Sequence, residues 1–233
     1  MGRSETLQGT KLFLDKGVLD QWNNNRYTIY TSVNKGIRVV ILGEEHLRQQ
    51  QEQIDLINII KPSYVLHESS GGWTYDPKVQ KFIKPKGRLF DNVGDHPLLK
   101  TVAINLFFRE LSNKLGFKII GCDLTDAEIL EAGKSICVMF PKKYRYEESS
   151  ERIWRTDHGY HLLSFDELAK DENIMFYRNR QMVKMVTKYE ALSEKPIVVI
   201  MGGAHGEEIS RNMLQRKKFG YAYVKQYANL NLG

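Results

Sequence analysis

The chain has little cysteine, no long apolar run and no internal repeat, and each absence removes a class of protein. Among 233 residues there are two cysteines, Cys122 and Cys137. Neither belongs to a CxxC pair, so a disulfide framework, a zinc ribbon and a thioredoxin-type redox pair are excluded, and both read as buried thiols. No apolar stretch approaches the roughly 18 residues that a membrane span needs, and the first 25 residues lack the basic start and apolar centre of a signal peptide. Met1-Gly2-Arg-Ser-Glu-Thr6 fits the loose myristoylation pattern, but no second membrane signal accompanies it. The expectation is a soluble cytoplasmic protein. No self-similarity appears at periods of about 20–50 residues, which excludes a solenoid.

What is present is a globular composition, with 42% hydrophobic and 27% charged residues, read as one domain over 1–233. Lysine and arginine (34) exceed the acidic residues (28), for a net charge of +6. The basic clusters Lys142-Lys143-Tyr144-Arg145 and Arg216-Lys217-Lys218 are short and far apart, and no nucleic-acid motif accompanies them. They read as solvated surface, so no specific nucleic acid is expected as a partner.

After the turn residues Asn34-Lys35-Gly36, the run from Ile37 to Leu42 predicts a buried strand. Leu47, Ile54, Ile57 and Ile60 predict a helix over 47–60, stopped by Lys61-Pro62. Further strands are expected from Ser63 to Glu68, Phe117 to Cys122, Ile197 to Met201 and Tyr221 to Lys225, with helices over 98–115, 125–133 and 173–193 and another before the last strand. Two stretches, near 69–97 and 137–172, lack clear periodicity and read as loop insertions. Alternating strands and helices predict an α/β fold: a mostly parallel central sheet flanked by helices on both faces.

Three motifs fail. Gly133-Lys134-Ser135 lacks the earlier glycine of a phosphate loop, because position 128 is Glu. His67-Glu68-Ser-Ser-Gly71 has glycine where HExxH needs its second histidine, and it sits at a strand end rather than on a helix. Asp157-His158-Gly-Tyr-His161 could clip a metal, but in a polar stretch its histidines read as exposed.

One constellation survives. Gly43-Glu44-Glu45-His46 and Gly202-Gly203-Ala204-His205 each join an apolar strand to a helix through G-x-x-H. About half a copy of this pattern is expected by chance in such a composition, so the strand-to-helix context carries the argument. In an open α/β sheet ligands bind beyond the carboxyl ends of the strands, which is where both histidines emerge. The positive end of a following helix favours neutral imidazole, the form that ligates a metal or accepts a proton. Glu68 ends one strand and Asp123 follows another, so two carboxylates reach the same edge. Two histidines with carboxylates suit a divalent metal or a metal-free water-activating site. Arg178 shares the apolar stripe of its helix with Ile174, Met182, Met185 and Tyr189, and an arginine there must be paired. It serves either as an ion-pair partner of Glu68 or Asp123 or as a holder of negative charge on a substrate.

Gly43-Glu-Glu-His46, Leu66-His67-Glu68, Ile119-Ile-Gly-Cys-Asp123-Leu, Arg178-Asn179-Arg180-Gln181-Met182 and Gly202-Gly-Ala-His205 together resemble the ordered signature of the TraB/Tiki group, which shares a superfamily with the erythromycin esterases and ChaN-like haem-binding lipoproteins. The resemblance runs from about residue 37 to 224 but is confined to these five motifs. It implies an α/β fold with its site at one sheet edge. For the Tiki branch it implies a metal-dependent peptidase using both G-x-x-H histidines and an acidic residue. Glu44-Glu45 departs from the small or hydroxyl residues common there.

The resulting expectation is a hydrolase of an amide or ester bond acting on a peptide or small molecule. Its catalytic residues are His46, Glu68, Arg178 and His205, and its metal ligands are His46, His205, Glu68 and Asp123. Mn or Co is the favoured ion, with Zn a further candidate. The alternatives are a non-catalytic binder of a signalling peptide or of haem in the same pocket, and a metal-independent, erythromycin-esterase-like hydrolase.

Overall fold

The computed structural model describes residues 11–23, 27–32, 36–44, 51–68, 71–83, 106–157, 159–216 and 219–225. His46, His158, Lys217-Lys218, most of the stretch 69–97 and the first parts of the helices expected over 47–60 and 98–115 lie outside the described residues. The elements are α1 (Lys16–Asn23), β1 (Thr28–Thr31), β2 (Ile37–Glu44), α2 (Gln51–Ile60), β3 (Tyr64–His67), β4 (Thr74–Asp76), β5 (Lys81–Ile83), α3 (Leu106–Leu115), β6 (Lys118–Gly121) and α4 (Asp126–Met139). They continue with β7 (Tyr144–Glu147), β8 (Arg152–Arg155), β9 (His161–Leu162), α5 (Phe165–Lys170), α6 (Glu172–Leu192), β10 (Ile197–Gly202), α7 (Gly203–Glu208), a π turn (Ile209–Met213), a 3-10 turn (Leu214–Arg216) and β11 (Gly220–Lys225).

Eight strands form one sheet in the order β1-β11-β2-β10-β3-β6-β4-β5. Its centre, β11-β2-β10-β3-β6, is parallel, and β1, β4 and β5 add antiparallel edges. This is the α/β architecture read from the sequence. Alternation along the parallel strands feeds two separate cores. Val40, Leu42, Val198, Ile200, Ala222 and Val224 face Leu56 and Ile57 of α2 and Leu111 of α3. Val39, Ile41, Val199, Met201 and Tyr223 face Met182, Val183 and Val186 of α6. A strand covered on both faces loses any polar alternation, which is why these segments read as unbroken apolar runs. Among the described residues no helix is long and apolar enough to cross a membrane.

Both stretches expected to be loops contain structure. β4 and β5 lie within 69–97 and extend the sheet beyond β6. Within 137–172, α4 continues to Met139, and the remainder builds the sheet β7-β8-β9 and the short α5. This part has its own core of Ile129, Ile136, Tyr144, Ile153, Leu168 and Ile174. Its strands are at most four residues long and carry charges and aromatics on the outer side, so their alternation was too short to register. Gly133 lies inside α4, where a Cβ would stand 2.5 Å from Ile153 Cδ1 and 3.1 Å from Leu168 Cδ2. The glycine serves close packing of β8 and α5, not phosphate binding. α4 and α5 each start with a capping box, Thr125 with Glu128 and Ser164 with Glu167.

Arg38 is only 1% exposed in the otherwise apolar β2. Its Nε donates to Glu190 Oε1 at 3.1 Å, Nη2 to the Ser193 carbonyl at 2.5 Å, and Nη1 to the Glu194 carbonyl at 2.9 Å and to that of Leu12. Carbonyls at the end of a helix have no partner within it, and here the guanidinium supplies one. The last turn of α6 is thereby clamped to the amino end of β2. Lys11 shares Glu190, its carboxylate at 2.8 Å and its carbonyl at 3.3 Å, but does not bond the Ser193 or Glu194 carbonyls. Arg38→Met is therefore expected to cost about 3 kcal/mol or more in urea unfolding, the range for breaking a buried ion pair. A loss below about 1 kcal/mol, ordinary for a surface change, would show that Lys11 alone holds the clamp.

Candidate functional site

The four neighbouring strands β2, β10, β3 and β6 run parallel and end at one edge. Gly43 pairs with Met201 and Glu44 with Gly202, so the two G-x-x-H segments leave the sheet side by side. On the other side of β10, Ile200 pairs with His67, and His67 with Gly121. Glu68 and Asp123 consequently leave the sheet next to the second G-x-x-H turn. His46 stands two residues beyond Glu44 in the sequence, outside the described residues.

At this edge Glu68, Asp123, Arg178 and His205 form one ion network, their side chains between 5% and 12% exposed. Glu68 Oε1 accepts from Arg178 Nη2 and lies 3.2 Å from both that atom and His205 Nε2. Glu68 Oε2 accepts the Gly202 backbone N–H at 2.5 Å. Arg178 grips Asp123 with Nε at 2.9 Å and Nη2 at 2.5 Å, and its Nη1 reaches the Ala169 carbonyl at 3.0 Å and Met175 Sδ at 3.4 Å. All the guanidinium's nitrogens thus address protein acceptors. The two carboxylates named from sequence as partners of Arg178 are both its partners. What sequence did not supply is Asn179, fully buried, whose Oδ1 lies 2.5 Å from His205 Nδ1 while its Nδ2 donates to Glu208 at 2.6 Å. The available signal was a polar residue within the quoted Arg-Asn motif, on the buried side of the helix.

The amide orientation follows from Glu208, which accepts only, so Asn179 must turn its NH2 there and its oxygen to the histidine. Both imidazole nitrogens of His205 consequently face acceptors, Asn179 Oδ1 and the Glu68 carboxylate. Burial alone would raise the Glu68 carboxyl, but His205, the Gly202 N–H and Arg178 outweigh it and lower it from 4.5 to about 2. The Cys122 thiol beneath donates to the His67 carbonyl at 3.2 Å, and burial beside Asp123 and Glu68 raises its pKa well above the usual thiol range. It is no nucleophile.

These donors do not fit a divalent ion as they stand. A metal needs imidazole and carboxylate lone pairs, but the oxygens of Glu68 and Asp123 are turned to protein N–H groups and both ring nitrogens of His205 lie against protein oxygens. Among the described residues no three His, Cys, Asp or Glu side chains are grouped to hold a metal. The Asp157/His161 pair is also engaged elsewhere, Asp157 with Arg155 at 2.9 Å and His161 with Glu167 at 2.9 Å.

Two glycines shape the edge. A Cβ on Gly43 would stand 2.8 Å from the Tyr223 hydroxyl, so this glycine makes room for a ring whose burial pushes its phenol up to about 12. A Cβ on Gly71 would fall 2.0 Å from the Asp123 carbonyl oxygen, and Gly71 N–H donates to the next carbonyl, Leu124, at 3.3 Å. This backbone contact explains the glycine in His67-Glu68-Ser-Ser-Gly71. Comparison with family models, with curated proteins and with solved structures finds no match.

Two outcomes are expected. Gly71→Ala should destabilise the fold by about 1–3 kcal/mol, because backbone must move from backbone. An unchanged melting temperature would mean that the 71–73 segment shifts freely. Glu68, depressed in the fold, contributes stability that is complete above pH 4.5 and is lost as pH falls towards 2. At about 1.4 kcal/mol per pH unit this amounts to about 3 kcal/mol. Urea midpoints measured from pH 5 to 2.5 should therefore fall more steeply for the wild type than for Glu68→Gln, and parallel curves would show that Glu68 is not ionised within the network.

Proposed function

We propose that the chain is a hydrolase of an ester or amide bond, working at the carboxyl edge of β2, β10, β3 and β6. The observation that supports this is the Glu68 carboxylate bridging Arg178 and His205 beside the G-x-x-H turns. Four ionisable groups are held out of water where an α/β sheet receives ligands, and such groups cluster at functional sites. The ordered motifs that resemble the TraB/Tiki group favour the same assignment, as does the emergence of two G-x-x-H segments from adjacent strands.

The geometry favours the metal-independent form of this reading. Glu68, held at about 2, is a poor proton acceptor at neutral pH, so its part is to fix His205 and Arg178. Arg178 is a positioning residue, since its nitrogens are directed at Asp123, Glu68, Ala169 and Met175. His46 is the base that activates water, placed by the sequence just beyond β2. The Arg178 guanidinium stabilises negative charge developing on the substrate carbonyl through the local field rather than by direct donation.

The test is a panel of p-nitrophenyl esters and fluorogenic peptides, assayed with and without EDTA. The expected result is hydrolysis that persists in EDTA and falls by about 100-fold or more in His46→Ala, the scale of removing an acid–base group. Arg178→Lys keeps the charge but loses the two-pronged grip, and should lower kcat by a similar factor with KM nearly unchanged. Arg178→Met is less useful because, among the described residues, it leaves the buried Asp123 carboxylate with only the Leu124 N–H. Activity that survives both substitutions would overturn the site. Activity lost in EDTA and restored by Mn, Co or Zn would replace His46 with metal-held water as the nucleophile's source.

A further inference from the structure

Beside the network, α4 and α6 flank an open groove of about 450 Å³. Leu124 and Ala132 line it, and Leu124 is bonded directly to Asp123, which sets the groove close to the network. One wall, on α4, carries Glu128 and Glu131. The other, on α6, presents Arg180, Gln181 and Lys184, the two cations one helical turn apart.

Opposite charges facing across a groove ordinarily close into cross-wall ion pairs. These do not. Glu128 is held by its own cap, accepting from Thr125 N at 2.8 Å and Oγ1 at 2.9 Å, and Glu131 pairs with Lys134 at 2.7 Å. Arg180 lies over the Phe176 ring at 5.6 Å, and neither it nor Lys184 has a carboxylate partner among the described residues. The acidic wall is therefore paired within itself, while the exposed cations of the basic wall have no carboxylate partner among the described residues. Gln181, between the cations, offers an amide to a peptide backbone.

We infer that this groove is a substrate subsite for a carboxylate-bearing peptide segment, its carboxylate held by Arg180 and Lys184. The inference rests on the hydrolase reading for the word substrate, but the groove's charge preference stands apart from catalysis. It concerns α6 residues whose side chains point away from the network, two and six positions beyond Arg178.

The test uses fluorescein-labelled Gly-Glu-Glu-Gly and its Gly-Gln-Gln-Gly counterpart, with fluorescence polarisation on the full chain. The Glu peptide is expected to bind at least 10-fold more tightly than the Gln peptide. Arg180→Gln/Lys184→Gln should remove that preference. Lys142→Gln/Arg145→Gln, which deletes the same charge elsewhere, should keep it, and circular dichroism checks that each variant folds. Equal binding of the two peptides, or loss of preference in the Lys142/Arg145 variant, would overturn the subsite, as would tighter binding of a fluorescein-labelled oligonucleotide through Arg180 and Lys184. A retained preference in a chain that hydrolyses no ester or amide would leave the groove as a binding site and remove the hydrolase reading alone.

Discussion

The carboxylate of Glu68 is the constraint from which the site follows. Its two oxygens meet three donors from three directions, Arg178, His205 and the Gly202 backbone, and each comes from a different element. Removing an ionised carboxylate from water costs several kcal/mol unless hydrogen bonds of this kind replace the water. The ion is thus tolerated only when β3, β10, α6 and α7 stand in one relative position. The same bonds fix Asn179 and Glu208 behind His205 and Asp123 behind Arg178, so a single buried charge aligns the whole edge.

Helix α6 transmits this alignment across the sheet. Its 21 residues span about 30 Å at 1.5 Å per residue, enough to cross from one strand edge to the other. Arg178 ties its first half to Asp123 at the carboxyl edge, and Arg38 ties its last turn to the amino end of β2. Between them Met182, Val183 and Val186 are packed on the sheet. Apolar packing alone tolerates sliding, because dispersion contacts are individually weak and have little direction. Two ion pairs at opposite ends set the axial position, and with it the reach of the Arg178 guanidinium.

Periodicity and turn residues sufficed for the parallel strands, because a strand covered on both faces is a continuous apolar run that few other structures produce. They also sufficed for the convergence of Glu68, Asp123 and the second G-x-x-H at one edge, since chain direction alone decides where parallel strands end. Arg178 was legible because a charge on an apolar stripe has to be paired. Short elements were not. β4, β5 and β7–β9 offer too few residues for alternation to rise above noise, and α1 and β1 join the fold through contacts distant in sequence. Asn179 and Glu208 escaped for a different reason: their roles exist only once α6 and α7 are packed together.

A buried ion network is poor evidence of stability, since well-packed apolar residues of similar volume often stabilise as well or better, while removal of one partner leaves its neighbour charged and unpaired. The contrast between the two ends of α6 makes the point. The Arg38 clamp answers a local need, because it donates to the carbonyl of Ser193, the residue that ends α6. At the other end α6 is capped by Asp171, which accepts from the Asn173 N–H, and Arg178 satisfies no helix terminus of its own. Glu68 and Asp123 likewise follow strands whose ladders are complete without their side chains. The charges at the carboxyl edge do meet backbone groups, at the Gly202 and Leu124 N–H and the Ala169 carbonyl, but most of their bonds are to one another. The reading proposed above gives them a use in the electrostatic environment at the strand ends, where one arginine and one histidine are braced by two carboxylates.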